Sequence, residues 1–159
     1  MRKRFEVQYE LGATPIEQVD IPVRSRDELP PVLRALQYIY TTPELNGNVF
    51  KILEANVVSG QKHMGRPGMT LWEILVLAVV RLARDADYDH LHYMATSDNV
   101  IRGLLGACKY GETKRDYSLQ SIKDNIGLID DETLEQINEL VVAAGHQLVK
   151  KKRRRSTLR

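Results

Sequence analysis

The sequence predicts an all-α fold of about seven helices, and three observations carry that expectation. Apolar residues recur three and four apart through most of residues 27 to 149. A capping residue stands ahead of most such stretches, and glycine or a polar run closes several of them. The length of 159 residues suffices for one hydrophobic core and falls short of two. One helical domain (27 to 149) is therefore expected, with an extended arm before it (1 to 26) and a basic tail behind it (150 to 159).

In the arm, Phe5, Val7, Tyr9 and Leu11 alternate with polar neighbours, a period of two that predicts a short strand ended by Gly12. Pro15 and Pro22 follow among charged residues, so this stretch is read as extended chain laid on the domain. Asp27 can cap the first helix, whose first turn tolerates Pro30 and Pro31, and Val32, Leu33, Leu36, Ile39 and Tyr40 form its apolar stripe as far as Thr41. Thr42 and Pro43 repeat that start for a second helix, with Leu45, Val49, Ile52 and Leu53 on one face, to about Val58. The glycines and proline of residues 59 to 68 mark a loop.

Thr70 and Glu73 then form a capping box. The helix it opens, 71 to 83, is apolar on nearly every side and belongs at the centre of the fold. Asp85, Asp87 and Asp89 break it. A short helix carries Tyr88, Leu91, His92 and Ala95, and another carries Val100, Ile101, Leu104 and Leu105 up to Gly106. After a polar loop over 109 to 116, Ser118 caps a helix that buries Leu119, Ile122 and Ile126 and ends at Gly127. Asp130 or Asp131 opens the last, long helix, with Leu134, Ile137, Leu140, Val141, Ala144 and Leu148 on one side. The cations that follow are expected to repel one another into disorder.

With 43% hydrophobic and 28% charged residues, the composition is that of a globular domain and not of a disordered chain. The basic start, Met1-Arg2-Lys3-Arg4, has no apolar stretch behind it, which argues against a secretory signal. The most apolar window is interrupted by Glu73 and Arg81 and is shorter than the roughly 20 residues a membrane span needs. No membrane partner is expected. Cys108 is the only cysteine, so no internal disulfide or cysteine-based zinc cluster can form, which suits a reducing cytoplasm. The net charge of +2 is unevenly spread. Residues 150 to 159 hold seven of the 23 basic residues and no acid, leaving 16 basic against 21 acidic in the body. Contact with a polyanion therefore has to come from local patches.

Metal and catalytic chemistry find little support. Asp85, Asp87 and Asp89 match the opening of a calcium loop, but the sixth position is His90 instead of glycine and the twelfth is Thr96 instead of glutamate. Helix caps explain these acids better. His90 and His92 fall on different helix faces, and His63 and His146 are remote in sequence. No phosphate loop, nucleophile elbow or Cys/His pairing occurs. No catalytic residue, metal or cofactor is expected within these residues.

Base reading has a better candidate in the helix opened by Ser118. Its inward residues leave Gln120, Ser121, Lys123 and Asn125 outside, and glutamine and asparagine can grip an adenine edge bidentately while lysine holds a phosphate. Residues 102 to 123 carry five bases against two acids, and Lys114 and Arg115 stand just ahead of the helix, ready for the DNA backbone. The same polar face would suit any solvated helix, so the pattern alone decides nothing. A helix-turn-helix with a turn of the usual three to four residues is best approximated by 88 to 96 and 98 to 105, which keeps 98 to 105 open as the recognition element. Gly65-Arg66-Pro67 has the form of a minor-groove arm, with Arg66 as the inserted residue, or of a plain helix lead-in.

The order of these motifs resembles a known family. Ser25-Arg26-Asp27-Glu28-Leu29-Pro30-Pro31, Leu36-Gln37-Tyr38-Ile39-Tyr40 and Gly65-Arg66-Pro67-Gly68-Met69 lead into Leu71-Trp72-Glu73-Ile74-Leu75. Tyr117-Ser118-Leu119-Gln120-Ser121-Ile122-Lys123-Asp124-Asn125 and Gly145-His146-Gln147-Leu148-Val149-Lys150-Lys151 complete the set. Together they resemble the N-terminal region of DDE-type insertion-sequence transposases, in particular the group called ISNCY and its relatives, over nearly all of residues 1 to 152. The resemblance implies a helical domain that recognises the terminal inverted repeats of a mobile element, often with dimerisation. It also implies an RNase H-like domain beyond, supplying three metal-binding carboxylates.

Arg153-Arg154-Arg155-Ser156-Thr157-Leu158-Arg159 departs from that pattern, with no strand or carboxylate following. The expectation is a truncated or frame-interrupted transposase fragment without catalytic residues, cytoplasmic and nucleoid-associated. Its expected partners are double-stranded DNA and a second copy or the full-length enzyme. A stand-alone helix-turn-helix regulator or a helical protein-interaction module are the alternatives.

Overall fold

The most apolar stretch of the sequence lies at the centre of the protein. A computed structural model describes residues 3–5, 14–22, 26–57, 68–106, 108–109, 112–113 and 116–157. Among these the helices run, in chain order, α1 (Leu29–Thr41), α2 (Pro43–Val57), α3 (Leu71–Arg84), α4 (Tyr88–Ser97), α5 (Asn99–Leu104), α6 (Leu119–Ile126) and α7 (Asp131–Ser156). One short 3-10 turn, Ile16–Gln18, precedes them. The fold is all-α, and the described residues hold seven α-helices, in keeping with the periodicity. Extended pairing among the described residues is a two-residue antiparallel ladder, β1 (Cys108–Lys109) with β2 (Glu112–Thr113), inside the stretch expected to be loop.

Every residue of α3 from Leu71 to Ala78 is buried, because α1, α2, α4 and α6 all pack on this helix. The capping box forms as the sequence predicts: the Thr70 hydroxyl accepts from the Glu73 backbone N–H, and the Glu73 carboxylate accepts from the Thr70 N–H. Two further N–H groups at the helix start, those of Leu71 and Trp72, donate to the carbonyls of Lys3 and Arg4. The arm thus satisfies donors that a helix N-terminus otherwise leaves open. Ile16 and Ile21 are buried, and the Gln37 side-chain amide donates to the carbonyls of Ile16 and Val19. Arg4 forms an ion pair with Glu54 at 2.7 Å. Their hydrogen bond holds the Glu54 carboxyl below its usual range and raises the Arg4 guanidinium.

The helix boundaries follow local chemistry. Asp27 accepts from the Leu29 N–H ahead of the prolines in the first turn of α1. Asp87 caps α4 through the His90 N–H, and Asp98 caps α5 through the N–H groups of Val100 and Ile101. Asp130 caps α7 through the Thr133 N–H, which settles the choice between Asp130 and Asp131. α5 stops as Gly106 turns the chain at a φ of 70°, a conformation glycine adopts without strain.

One boundary differs from expectation. α7 does not stop before Lys150 but continues through the cations to Ser156, 26 residues in all. Lysine and arginine are good helix formers, and cations in a last turn are favoured by the helix dipole, so their mutual repulsion does not break the helix. Of the strand expected over residues 5 to 11, only Phe5 is described; there, and in the loop expected over 59 to 68, the remaining positions up to 67 lie outside the described residues.

Candidate nucleic-acid interface

α6 is short, eight residues, and its position is fixed at its start by two polar contacts. Tyr117, immediately before the cap, is buried, and its hydroxyl donates to Glu73 Oε1 at 2.8 Å. Its backbone carbonyl lies 2.8 Å from His92 Nε2 on α4. A carbonyl can only accept, so that nitrogen carries the proton. One carboxylate thus closes the capping box of α3 and also ties down the lead-in to α6. The sequence places His92 on the helix of residues 88 to 96 and gives no sign of its tie to Tyr117. The missing signal was spatial, since these partners stand 25 and 44 residues away.

Ser118 then caps α6 through the Ser121 N–H, as its position predicts. Ile122 and Ile126 are buried against α3 and α4, and Leu119 is half-buried. Gln120 and Lys123 are exposed, Ser121 is half-buried, and the Gln120 amide donates to Asp124 Oδ1 at 2.7 Å. Such a bond on an exposed helix face is worth about 0.2–0.5 kcal/mol, so a base edge could displace it at small cost.

Asn125 departs from expectation. Only 8% of it is exposed, and its amide donates to the Ser121 carbonyl within the helix. Its side chain points back along the helix because position 125 falls between the buried isoleucines and the solvent face. Asn125 therefore does not belong to an outward-facing set. Lys114, Arg115 and Arg66 lie outside the described residues.

α5, the other candidate for recognition, is closed off. Ile101 to Leu105 are all buried, the Trp72 indole donates to the Leu104 carbonyl, and Arg102 donates to the carbonyls of Ala95 and Thr96 at the end of α4. Only the first turn of α5, with Asn99 exposed and Val100 half-buried, faces outward. Its arginine, 4% exposed, ties α4 to α5.

The charge around α6 is mixed. Among the described residues from 116 to 130, Lys123 is the only cation, against Asp116, Asp124 and Asp130. Hydrogen bonds from Thr133 hold the Asp130 carboxyl below its usual range, so it stays ionised beside the end of α6. Attraction to phosphate has to be supplied by cations flanking this helix. Tyr93 on α4 is an exposed aromatic, 66% accessible, that sequence reasoning passed over. Its place opposite the buried Leu91 and Ala95 was readable from helical spacing.

Among the described residues no group of three or more His, Cys, Asp or Glu side chains could hold a metal ion, and no helix is long and apolar enough to cross a membrane. No family model, curated protein or solved structure matches the chain.

Proposed function

We propose that the chain is a DNA-binding domain of the kind that opens a DDE-type insertion-sequence transposase, and that it recognises terminal inverted repeats through the outer face of α6. The observation that carries this reading is the division of α6: Ile122 and Ile126 inward, Gln120 and Lys123 outward, on a helix whose start is pinned to α3 and α4. The segment is also the part of the resemblance richest in groups that can grip bases. Helix-turn-helix proteins present a recognition helix on a packed helical support in a similar way, and α3 with α4 supplies that support. Gln120 is assigned to a base edge, Lys123, Ser118 and Ser121 to bases or phosphates, and Lys114 and Arg115 to the backbone. Strand cleavage and joining are assigned to a separate carboxylate domain.

The test is a binding titration of the whole chain against the duplex ends of its own insertion sequence and against scrambled duplex of equal composition. The expected result is tighter binding to the native ends, with Gln120→Ala losing about 1–3 kcal/mol of that preference. Equal affinity for both duplexes removes the reading.

A groove elsewhere on the molecule favours a second reading, a helical interaction module. It holds about 500 Å³ between α1, α3 and α7. Competition between duplex DNA and a protein partner separates the two.

A further inference from the structure

The groove between α1, α3 and α7 is lined mostly by aliphatic side chains, among them Leu36, Ile39, Val79 and Ile137, and α6 contributes no residue to it. Apolar surface continues past it on both sides. Leu82, on the α3 wall, is 64% exposed, and Val142, one turn after Asn138 on the α7 edge, is 46% exposed. Three large apolar side chains stand in solvent among the described residues, and two of them flank this groove, the third being Tyr93 on α4. An apolar side chain exposed singly needs no explanation, but an apolar cleft with exposed apolar flanks marks a binding surface.

The α7 edge of the groove is acidic. Asp131 and Glu135 stand on it with Asn138, and at about 100° per residue Glu139 and Glu132 come next around α7, on its solvent side. All four carboxylates are exposed, and among the described residues none of them has an ion pair. The helix dipole favours acids in a first turn, which accounts for Asp131 and Glu132. Glu135 and Glu139 lie beyond that turn, and no lysine, arginine or histidine lines the groove.

The walls also select the backbone of an occupant. Each wall is a helix, whose peptide groups bond within it, so an extended segment laid in the groove would bury its own peptide groups without partners. A helix arrives with those groups already satisfied.

We infer that the groove binds an amphipathic helix of a partner protein, one with apolar residues three and four apart on one face and lysine or arginine along the flank that meets Asp131, Glu132, Glu135 and Glu139. Apolar anchors at helical spacing fill the cleft, as in other helix-in-groove complexes. The four carboxylates supply the complementary charge that selects the partner and its orientation. The inference rests on the second reading above, since it names what the groove of a helical interaction module takes, and it is tested with no DNA present.

The experiment is a fluorescence-anisotropy titration of a labelled peptide with the whole chain, whose helix content is checked by circular dichroism. The probe is a synthetic helix with leucine at i, i+3, i+4 and i+7 and lysine elsewhere. One control carries glutamate in place of lysine, and the other holds the same leucines and lysines in an order that forms no stripe. The leucine-lysine helix should bind about tenfold tighter than either control, and more weakly as salt rises. Leu82→Glu, at an exposed position on the wall, should weaken it about tenfold with the fold intact. Glu135→Lys with Glu139→Lys should also weaken it and should improve binding of the glutamate peptide.

If no peptide binds, the inference and the second reading fall together. If a control peptide binds as tightly as the probe and Leu82→Glu weakens both, the groove stands as an interaction site and the basic helix alone is overturned. Binding of the probe that ignores Leu82→Glu places it elsewhere and overturns the inference as well. So does an oligomer of the chain alone, seen in sedimentation, that Leu82→Glu dissociates, because a second copy then covers the groove.

Discussion

α5 and α6 look alike in sequence. Both are short, both open on a side-chain cap, Asp98 in one and Ser118 in the other, and both carry apolar residues three and four apart. Their surroundings differ completely. α5 is buried from Ile101 to Leu105, whereas α6 shows a buried edge and an exposed one within two turns. Caps and periodicity set where a helix begins and which side is apolar. Whether its other side meets water depends on which elements close over it, and in α5 that cover includes Trp72 and the end of α4. Of the two, α6 carries the broader exposed polar face, with Gln120, Lys123 and Asp124 open to solvent.

The largest expected effect tests the buried member. Leu104→Ala removes a fully buried side chain from α5 and should lower stability by about 2–5 kcal/mol in urea unfolding. A loss well under 1 kcal/mol would mean that α5 is free to leave the core, and the contrast with α6 would collapse.

Next in size is the anchor of the exposed member. Tyr117→Phe removes the hydroxyl that donates to Glu73 Oε1 and should cost about 1–3 kcal/mol, since that contact is buried. If α6 depends on this tether to present its outer face, preference for the native DNA ends should fall as well. Intact preference at full destabilisation would show that the isoleucines alone hold the helix in place.

The contrast also marks how far sequence could reach. Thr70 with Glu73 announces α3, and Ile122 with Ile126 fixes the inner side of α6, because caps and helical spacing are local properties. Asn125 misled for a local reason too: it sits at the margin of the apolar arc, where a small shift in rotation decides between solvent and core. The tie from Tyr117 to Glu73 and His92, and the closure of α5, depend on contacts between distant stretches, which spacing does not encode. The extent of α7 is not legible in its charge run, because the helix propensity of lysine and arginine outweighs the repulsion among neighbouring cations.

A smaller effect belongs to neither helix and serves as the control. Arg4→Gln breaks the ion pair with Glu54, a pair open to solvent on the arginine side, and should cost below about 1 kcal/mol. Glu54 has its carboxyl pKa lowered in the fold, so the pair stabilises fully above the unfolded-state value, and that contribution is lost as pH falls through the lower, folded value. Arg4 stays charged throughout this window. Wild type and variant should therefore differ at neutral pH and converge in acid, with DNA preference unchanged at neutral pH. A gap that persists in acid would assign the loss to Arg4 packing over Phe50 instead of to charge.

The smallest change in stability should come from the outer face of α6, where the functional reading is most exposed to refutation. Gln120→Ala and Lys123→Ala alter exposed side chains and should each leave unfolding within about 0.5 kcal/mol of wild type. Their effects on DNA should differ in kind. A base-reading glutamine lost weakens the native ends selectively, whereas a phosphate-binding lysine lost weakens native and scrambled duplex alike and lowers the salt dependence. Asn125→Ala should do the reverse of Gln120→Ala: its buried amide bonds within the helix, so stability falls while the preference of the folded protein stays. If Asn125→Ala instead changed preference at unchanged stability, the inner and outer sides of α6 would have been assigned the wrong way round.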